Sequence, residues 1–300
     1  MHKASIALIV SGVLLVLGIS VVLAGLKMGG SMNFTANPLT QTVETVGEDN
    51  VQGQGTVEAF DKIYLEFDVG NVTIEEGSDY YVEYDLPKKE VPEIRVENGT
   101  LKITQKPHTN GIFFEFMAKS PKRMLRITVP EGTKLDRLEA DLDTGNLIIT
   151  LPAVKNLDAH NDTGNVEISG LEADDLKVKS DTGNTTLTDC RAKDAELINN
   201  TGSIEMNHCV MTKLLVDVDT GDCKFERLET EQVKFDVDTG DVEGSMVGKQ
   251  DDYSMILDVD TGKIRIGDDT YKDNVTIEGS GDKKIEAAVD TGDLELDFVD

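Results

Sequence analysis

The sequence predicts an all-β protein: a β-solenoid (β-helix) of about 19-residue coils, preceded by one N-terminal transmembrane helix. Three observations predict this. A tetrapeptide built on Asp-Thr-Gly recurs at a fixed spacing, apolar residues alternate on both sides of it, and a long uncharged segment stands near the amino terminus. We therefore expect three parts: a transmembrane anchor or signal peptide at 1–27, a linker at 28–55, and a solenoid domain at 56–300.

The amino-terminal segment has the length of a membrane span. Residues 4–26 are 23 uncharged, mostly apolar positions between two lysines. As a helix they are about 34 Å long, which exceeds a hydrocarbon core of roughly 30 Å. Lys3 on the short side predicts a cytoplasmic amino end, so we expect a single-pass protein of the cell membrane with an extracellular C-terminal domain. The alternative is a signal peptide cleaved after Ala24.

The segment that follows predicts a tether. Residues 28–55 are polar, rich in Gly, Thr, Asn and Gln, and show no sustained apolar period. Such a composition is typical of a flexible linker between a membrane and a folded domain.

The repeat defines the fold. Its first residue stands at Asp143, Asp162, Asp181, Asn200, Asp219, Asp238, Asp260 and Asp290, with five intervals of 19 residues followed by 22 and 30. A fixed period near twenty is typical of a solenoid. With this residue as position 0, apolar side chains recur at −5, −3, +4 and +6, which predicts two short strands per coil with alternate side chains inward.

The turn chemistry explains why the tetrapeptide is repeated. Its Gly permits a positive φ, and its Asp or Asn is expected to bond its own backbone two residues on. Identical stacked turns keep the register, because a slip of one residue would turn the inward side chains outward. We expect eight coils stacked in chain order. The region 56–136 should supply opening coils and a cap, with Asp68-Val69-Gly70-Asn71 as a degenerate turn.

Charge restricts the partners. The chain has 57 acidic and 29 basic side chains, a formal net charge of −28, no Trp and only 5% aromatic residues. Such a negative field repels nucleic acid, so we expect no nucleic-acid partner. Scarce aromatic faces disfavour a sugar-stacking cleft. The expected partners are the membrane through residues 4–26 and a cell-wall polymer or an envelope protein.

Carboxylates in three late turns suggest a metal site. We expect no cofactor, with Ca²⁺ as the alternative, because the turns from Asp217 onward are rich in carboxylates that could supply oxygen ligands. The candidate ligands are Asp217, Asp219, Asp222, Asp236, Asp238, Asp241, Asp258 and Asp260. The spacing matches neither an EF-hand loop nor the calcium-binding nonapeptide, so we favour solvated carboxylates with backbone hydrogen bonds.

A basic and aromatic cluster occupies residues 107–126. As a contact for a partner or the outer leaflet it would use Phe113, Phe114, Phe116, Lys119, Lys122 and Arg123. The alternative, which we favour, is a cap over the open end of the solenoid, where strand edges would otherwise be unpaired.

Three cysteines exclude a complete disulfide framework, since their number is odd. Cys190 and Cys209 both stand nine residues after a turn, so they should stack in adjacent coils, within disulfide range. Leu and Val occupy the same position in other coils, which favours two small apolar core residues instead.

Several stretches carry a resemblance to a known family. "DVGNVTIEEG" at 68–77, "NGTLKIT" at 98–104, "RITVPEGTKLDRLEADLDTGNL" at 126–147 and the serial turns resemble the bacterial putative-adhesin β-strand-repeat family, domain of unknown function 4097. The resemblance covers about 56–300. It implies a cell-envelope protein with a β-solenoid fold, often membrane-anchored. It implies no established activity and no catalytic residues.

We therefore expect a membrane-anchored, non-enzymatic binding or scaffold protein of the bacterial cell envelope, as an adhesin or an envelope-stress accessory. One alternative is a Ca²⁺-dependent glycan-active β-helix enzyme. Against it, carboxylates on a repeating lattice lack the distinct environments that paired acid–base catalysis needs. The other alternative is an accessory to a membrane signalling system, acting through its transmembrane helix.

Overall fold

The computed structural model describes residues 34–37, 42–45, 50–105, 112–114, 122–272 and 274–300. The chain forms two compact units, one of residues 1–50 with 107–122 and one of residues 51–106 with 123–300. Within the described ranges no helix has both the length and the apolar character that a bilayer crossing requires. The predicted span 4–26 lies outside these ranges.

Strands dominate the described residues. In chain order they are β1 (Phe34–Asn37), β2 (Thr42–Thr45), β3 (Asn50–Thr56), β4 (Lys62–Val69), β5 (Asn71–Gly77), β6 (Tyr81–Pro87), β7 (Glu93–Glu97), β8 (Thr100–Thr104), β9 (Ile112–Phe114), β10 (Met124–Pro130), β11 (Lys134–Thr144), β12 (Leu147–Thr150), β13 (Ala153–Thr163), β14 (Val166–Ser169), β15 (Glu172–Thr182), β16 (Thr185–Thr188), β17 (Arg191–Thr201), β18 (Ile204–Asn207), β19 (Val210–Thr220), β20 (Cys223–Thr239), β21 (Val242–Val247), β22 (Tyr253–Thr261), β23 (Ile264–Ile266), β24 (Asp269–Tyr271), β25 (Val275–Ile277), β26 (Lys283–Thr291) and β27 (Leu294–Val299). Short 3₁₀ turns stand at Lys88–Glu90 and Gln250–Asp252.

The first unit contains a small antiparallel sheet of order β2-β1-β9. Phe34 pairs with Thr45 on one side and with Phe114 on the other. Two of these strands fall inside the predicted linker at 28–55.

The second unit is a solenoid of ten layers, which joins 24 strands into one sheet. Each layer contributes one strand to a long-strand ladder and one to a short-strand ladder, and neighbouring layers pair in parallel. In spatial order the layers are 1 (β8, β10), 2 (β4, β5), 3 (β11, β12), 4 (β13, β14), 5 (β15, β16), 6 (β17, β18), 7 (β19 and the start of β20), 8 (the rest of β20, β21), 9 (β26, β27) and 10 (β22, β23). The predicted all-β solenoid is confirmed for this unit.

The layer order departs from the chain order at both ends. Layer 2 precedes layer 1 in the chain, because β4 pairs with β8 on one side and with β11 on the other. Layer 10 precedes layer 9, because β26 lies between β20 and β22. The expectation of eight coils in strict chain order is therefore wrong at the ends, although it holds from layer 3 to layer 8.

Antiparallel strands cover the edges that this arrangement leaves. On layer 1, β7 pairs with β8 and β6 pairs with β10. On layer 10, β25 pairs with β22 and β24 pairs with β23. Antiparallel covers satisfy strand edges that could otherwise template aggregation. The chain forms layer 10 and its cover before it returns to form layer 9, which explains the long last interval of the repeat.

A further edge strand begins inside the range predicted as a linker. Strand β3 begins at Asn50, inside the range 28–55, and pairs with β6. The Tyr84 ring covers Gly53, since a Cβ built there would lie 2.1 Å from the ring. Strand β3 is held by backbone pairing with β6 and by the Tyr84 ring over Gly53. Because it does not depend on a row of buried apolar side chains, its sequence shows no apolar period.

The core is a set of inward columns. In layers 4 to 7 seven positions per coil are buried, at −8, −5, −3, −1, +4, +6 and +9. In layer 5 these are Ala173, Leu176, Val178, Ser180, Thr185, Leu187 and Cys190. The sequence predicted −5, −3, +4, +6 and the cysteine position +9. It missed −8 because three positions, and not two, separate it from −5. It missed −1 because the buried residues there in layers 4 to 6 are polar: Asn161, Ser180 and Asn199.

The turn glycines form a ladder along one edge. Gly70, Gly145, Gly164, Gly183, Gly202, Gly221, Gly240, Gly292 and Gly262 stack in this order, with φ between +133° and +155°. A Cβ on Gly183 would lie 1.9 Å from the carbonyl oxygen of Gly164. The amide of each glycine bonds the next layer, as in Gly183 N–H to Thr201 O at 2.9 Å. Only glycine satisfies both the positive φ and the close approach.

Replacing one turn glycine should strongly destabilise the solenoid. We expect Gly183→Ala to lower the free energy of unfolding by about 3 kcal/mol or more, because strain at positive φ adds to a backbone clash. Urea unfolding of the two proteins measures this. The control is Gly55→Ala, where a Cβ would meet nothing within 4 Å. Equal stabilities of the two variants would contradict the ladder.

Candidate functional site

A second ladder of hydrogen bonds runs along the turns. The side chain at position +3 of each layer accepts a hydrogen bond from the backbone N–H at +3 of the next. It begins with Asn146 N–H to Asn71 Oδ1 at 3.0 Å and ends with Lys263 N–H to Asp293 Oδ1 at 2.9 Å. The intervening acceptors are Asn146, Asn165, Asn184, Ser203, Asp222 and Asp241. Position +3, and not the expected position 0, therefore supplies the side-chain bond that fixes each turn.

Positions −2 and 0 of layers 2 to 10 form an outward surface that we call the turn edge. Position 0 is acidic in every one of these layers except layer 6, which has Asn200. Position −2 is acidic in layers 2, 3, 7, 8 and 10, whereas layers 4 and 5 carry His160 and Lys179. The turn edge is thus acidic towards both ends and partly neutralised in the middle.

The eight carboxylates predicted as calcium ligands are not gathered into one cage. Layer 9 places Ala288 and Asp290 between layers 8 and 10, so Asp236 and Asp258 are two layers, roughly 10 Å, apart. One carboxylate oxygen each of Asp222 and Asp241 accepts a bond of the +3 ladder. This separation has a topological cause, since the sequence order did not reveal the inserted layer.

Electrostatic repulsion acts within the turn edge. Burial raises the pKa of Asp217, and the neighbouring carboxylates of Asp236, Asp219 and Asp238 raise it further. Burial also raises the pKa of Asp143, with Asp68 and Asp162 as the next causes. Both carboxyl groups are therefore less stable in the charged form than they would be in the unfolded chain.

The long-strand ladder carries a different surface, which we call the strip: the outward positions −6 and −4 of all ten layers. Two shallow depressions lie along it, of about 460 Å³ over layers 5 to 9 and about 250 Å³ over layers 1 to 3. The inward residues at −5, such as Leu176, Ala195 and Leu214, form part of the floor.

The strip is nearly neutral in a strongly acidic protein. Its seven basic residues are Lys62, Lys102, Arg137, Lys177, Lys213, Lys234 and Lys284, and its six acidic residues are Glu139, Asp158, Asp175, Asp194, Glu196 and Glu286, for a sum of +1. Opposite charges pair across layers, as in Lys177 Nζ to Glu196 Oε2 at 2.9 Å.

Exposed apolar side chains concentrate on the strip as well. In the described residues the exposed large hydrophobic side chains are Tyr64 and Ile256, 40% and 50% exposed. Both occupy position −4, in layers 2 and 10, and Leu215 occupies the same position in layer 7. Sequence reasoning missed the strip because it aligned the inward columns alone. Aligning the outward columns with the period of 19 would have revealed its charge balance in layers 3 to 8.

The predicted contact cluster is divided between the two units. Phe113 and Phe114 lie on β9, whereas Phe116 and Lys119 lie outside the described residues. The backbone carbonyl of Lys122 accepts a hydrogen bond from Asn50 at 2.7 Å.

Arg123 belongs to an internal ion pair of the solenoid. Its guanidinium binds both carboxylate oxygens of Glu90, at 2.6 and 2.9 Å, and Glu90 is 5% exposed. Arg123 also covers Gly70 at the end of the glycine ladder, since a Cβ on Gly70 would lie 3.1 Å from Arg123 Cβ. These contacts give Arg123 a structural role at layer 1.

The three cysteines are free thiols in the core. Cys190 and Cys209 stack in adjacent layers, and a hydrogen bond between them together with burial raises the pKa of the Cys209 thiol. Burial raises the pKa of the Cys223 thiol as well. Buried thiols match the expectation of small apolar core residues.

The fold and its surfaces define a class: an all-β solenoid of parallel, in-register coils that presents an acidic turn edge and a neutral strip. The family model Toastrack DUF4097 matches residues 60–297. The chain therefore belongs to this family, which confirms the resemblance noted in the sequence. No curated protein matches the chain.

The comparison with solved structures finds matches from several bacteria. A putative adhesin from Bacteroides fragilis is 14% identical with a TM-score of 0.45, covering 84% of this chain and 98% of its own. A putative adhesin from Parabacteroides distasonis is 12% identical with a TM-score of 0.49, covering 85% and 98%. A protein from the same species described as a putative lipid binding protein is 11% identical with a TM-score of 0.31, covering 85% and 98%. Similarity at this level says nothing about a ligand.

Neutralising one turn-edge carboxylate should stabilise the protein. The raised pKa means that the folded state keeps the Asp217 proton to a higher pH than the unfolded state, so this group favours folding as pH falls. We expect Asp217→Asn to raise Tm at pH 7 by about 2 °C, and the difference from wild type to shrink towards pH 4.

Thermal unfolding at several pH values measures the effect. Asp268→Asn, an exposed carboxylate in the hairpin beyond layer 10, is the control. A Tm at pH 7 that is unchanged or lower in Asp217→Asn would show that repulsion at the turn edge is negligible.

Proposed function

We propose that this protein is a non-enzymatic binding scaffold of the bacterial cell envelope, which holds an extended segment of another envelope protein along the strip. The observation that carries the proposal is the position of the exposed apolar side chains. Tyr64 and Ile256 stand at opposite ends of one outward column, and Leu215 stands between them.

The geometry of the strip suits an extended partner. Ten layers at about 4.8 Å place successive contacts at nearly equal steps, which complements a chain without tertiary structure of its own. The depressions are shallow and open, so they suit a linear segment better than a compact small molecule, which binds in an enclosed pocket.

The chemistry of the strip favours a polypeptide over a wall polymer. Basic and acidic side chains alternate above an apolar floor, which complements a peptide with charges of both signs and small apolar residues. A polyanionic polymer would be repelled by the net charge of −28. A neutral glycan would lack the aromatic stacking faces that sugar sites commonly use, since aromatic residues are 5% of the chain.

The proposed location follows from the amino-terminal segment. Residues 4–26 form a single transmembrane helix in this proposal, residues 1–3 lie in the cytoplasm, and the solenoid lies outside the cell. The length of the apolar segment and the position of Lys3 support this orientation. The family resemblance to envelope proteins supports it as well.

Site-specific photo-crosslinking tests the strip. A photoreactive amino acid placed separately at Tyr64, Leu215 and Ile256 should crosslink the same envelope protein in living cells. The same residue at Glu167, an exposed position on the short-strand ladder, is the control. Crosslinks to one shared peptide segment, identified by mass spectrometry, are the expected result. Crosslinks to glycan, or an equal pattern from Glu167, would overturn the proposal.

A charge inserted into the strip should weaken that binding. We expect Leu215→Glu to reduce the affinity for the crosslinked segment at least about tenfold, which corresponds to about 1.4 kcal/mol. Titration of the synthetic peptide into the two full-length proteins measures the difference. An unchanged affinity would place the peptide elsewhere on the molecule.

Membrane association tests the anchor independently. The full-length protein should stay with the membrane after carbonate extraction, and a variant lacking residues 1–27 should be released. Protease added to intact spheroplasts should digest the solenoid. A full-length protein found in the soluble fraction, or a solenoid protected from protease, would contradict the proposed location without affecting the strip.

A further inference from the structure

One histidine stands among the carboxylates of the turn edge. His160 is at position −2 of layer 4, directly between Asp141 of layer 3 and Lys179 of layer 5. Asp162 and Asp181 lie at position 0 of layers 4 and 5. Three consecutive layers therefore bring one imidazole and three carboxylates together.

The donor atoms have the spacing of a compact metal site. His160 Nε2 is 3.4 Å from Asp162 Oδ1 and 3.8 Å from Asp181 Oδ1. One donor atom from each of these residues lies within 4.8 Å of the other two, and in the described residues no other group of three such side chains meets this limit. In tetrahedral Zn²⁺, with bonds near 2.0–2.1 Å, neighbouring donors are about 3.3 Å apart. Small side-chain rotations would close the difference.

The imidazole is oriented for coordination. His160 Nδ1 lies 3.4 Å from Asp141 Oδ1, so a proton on Nδ1 faces a carboxylate. That leaves the lone pair on Nε2, the arrangement found where a carboxylate orients a metal-bound histidine. Nε2 is also a buried nitrogen without a hydrogen-bond partner among the described residues. The side chain as a whole is 35% exposed, so an ion and a water ligand have access.

We propose that His160, Asp162 and Asp181 bind one divalent first-row metal ion such as Zn²⁺, with Asp141 positioning the imidazole and water completing the coordination. One nitrogen and two carboxylate oxygens suit Zn²⁺, whereas Ca²⁺ requires six to eight oxygen ligands. The ion would join layers 4 and 5 on the outside of the stack. It would also neutralise carboxylates that repel one another across layers.

Two neighbours compete with the ion for Asp181. Lys179 Nζ lies 3.4 Å from Asp181 Oδ1, and Asn200 Nδ2 donates a hydrogen bond to the same oxygen at 3.1 Å. The ammonium must move aside or the other oxygen of Asp181 must coordinate. Lys179 therefore lowers the affinity of the site for the metal ion. Removing the Lys179 side chain should strengthen binding, which provides a test by gain of affinity.

Calorimetric titration of Zn²⁺ into the untagged, metal-free full-length protein tests the proposal. We expect one ion per chain, a Tm that rises with the concentration of Zn²⁺ by mass action, and visible absorption of four-coordinate Co²⁺ that Zn²⁺ displaces. His160→Ala and Asp181→Asn should each weaken binding at least tenfold, and Lys179→Ala should strengthen it several-fold. Circular dichroism of each variant confirms folding.

A matched control separates this site from the other histidines. His208 is exposed at a positive φ of 54°, where Asn is tolerated, so His208→Asn should bind Zn²⁺ like wild type. The absence of a saturable 1:1 event, or equal affinities for wild type, His160→Ala and Lys179→Ala, would overturn the proposal. Binding lost only in His208→Asn would assign the ion to another site and overturn it as well.

Discussion

The close approach of backbone at the turn glycines is the constraint on which the stack depends. A carbonyl oxygen of one layer occupies the place where a side chain of the next would begin, about 2 Å from an ideal Cβ. This contact fixes the spacing of the layers at one corner, and parallel pairing carries that spacing across both ladders. The inward columns then follow, because every coil enters and leaves the corner at the same position.

The sequence predicted the middle of the solenoid well because periodicity reports local repetition. Layers 3 to 8 follow one another with aligned apolar positions, so the core and the corner were visible in the spacing alone. The ends were not visible. Strands β8 and β26 occupy their layers through backbone pairing with segments far away in the chain. The spacing of a sequence repeat does not show that a later repeat lies between two earlier ones in space. The separation of Asp258 and Asp260 from the other predicted calcium ligands was invisible for this reason, since Asp290 stands between Asp238 and Asp260.

Layers 4 to 6 differ from the other layers in the polarity of a buried position and in the charge of the outward position beside it. Position −1 is polar only where position −2 is not acidic, with Asn161, Ser180 and Asn199 in layers 4, 5 and 6. The asparagine amides donate hydrogen bonds, as in Asn199 Nδ2 to Gly183 O at 2.9 Å. The side-chain oxygens of all three residues have no hydrogen-bond partner among the described residues. Buried polar groups of this kind cost stability and are kept where they specify an arrangement. Here they include layers 4 and 5, which carry His160 and Asp181 and which no period in the sequence distinguished.

The return of the chain at both ends limits how such a protein can change its length. The last coil in the chain, layer 9, has both edges paired with layers 8 and 10. A repeat added after Asp300 would therefore have to reach the outer edge of layer 10, which β25 and β24 already cover. A duplication of one coil between layers 3 and 8 would meet no such obstacle. Both edges of the new coil would pair with neighbours of the same kind as those of the coil it copies. Gene duplication can therefore lengthen the solenoid by adding layers in its middle but not by adding layers at its ends.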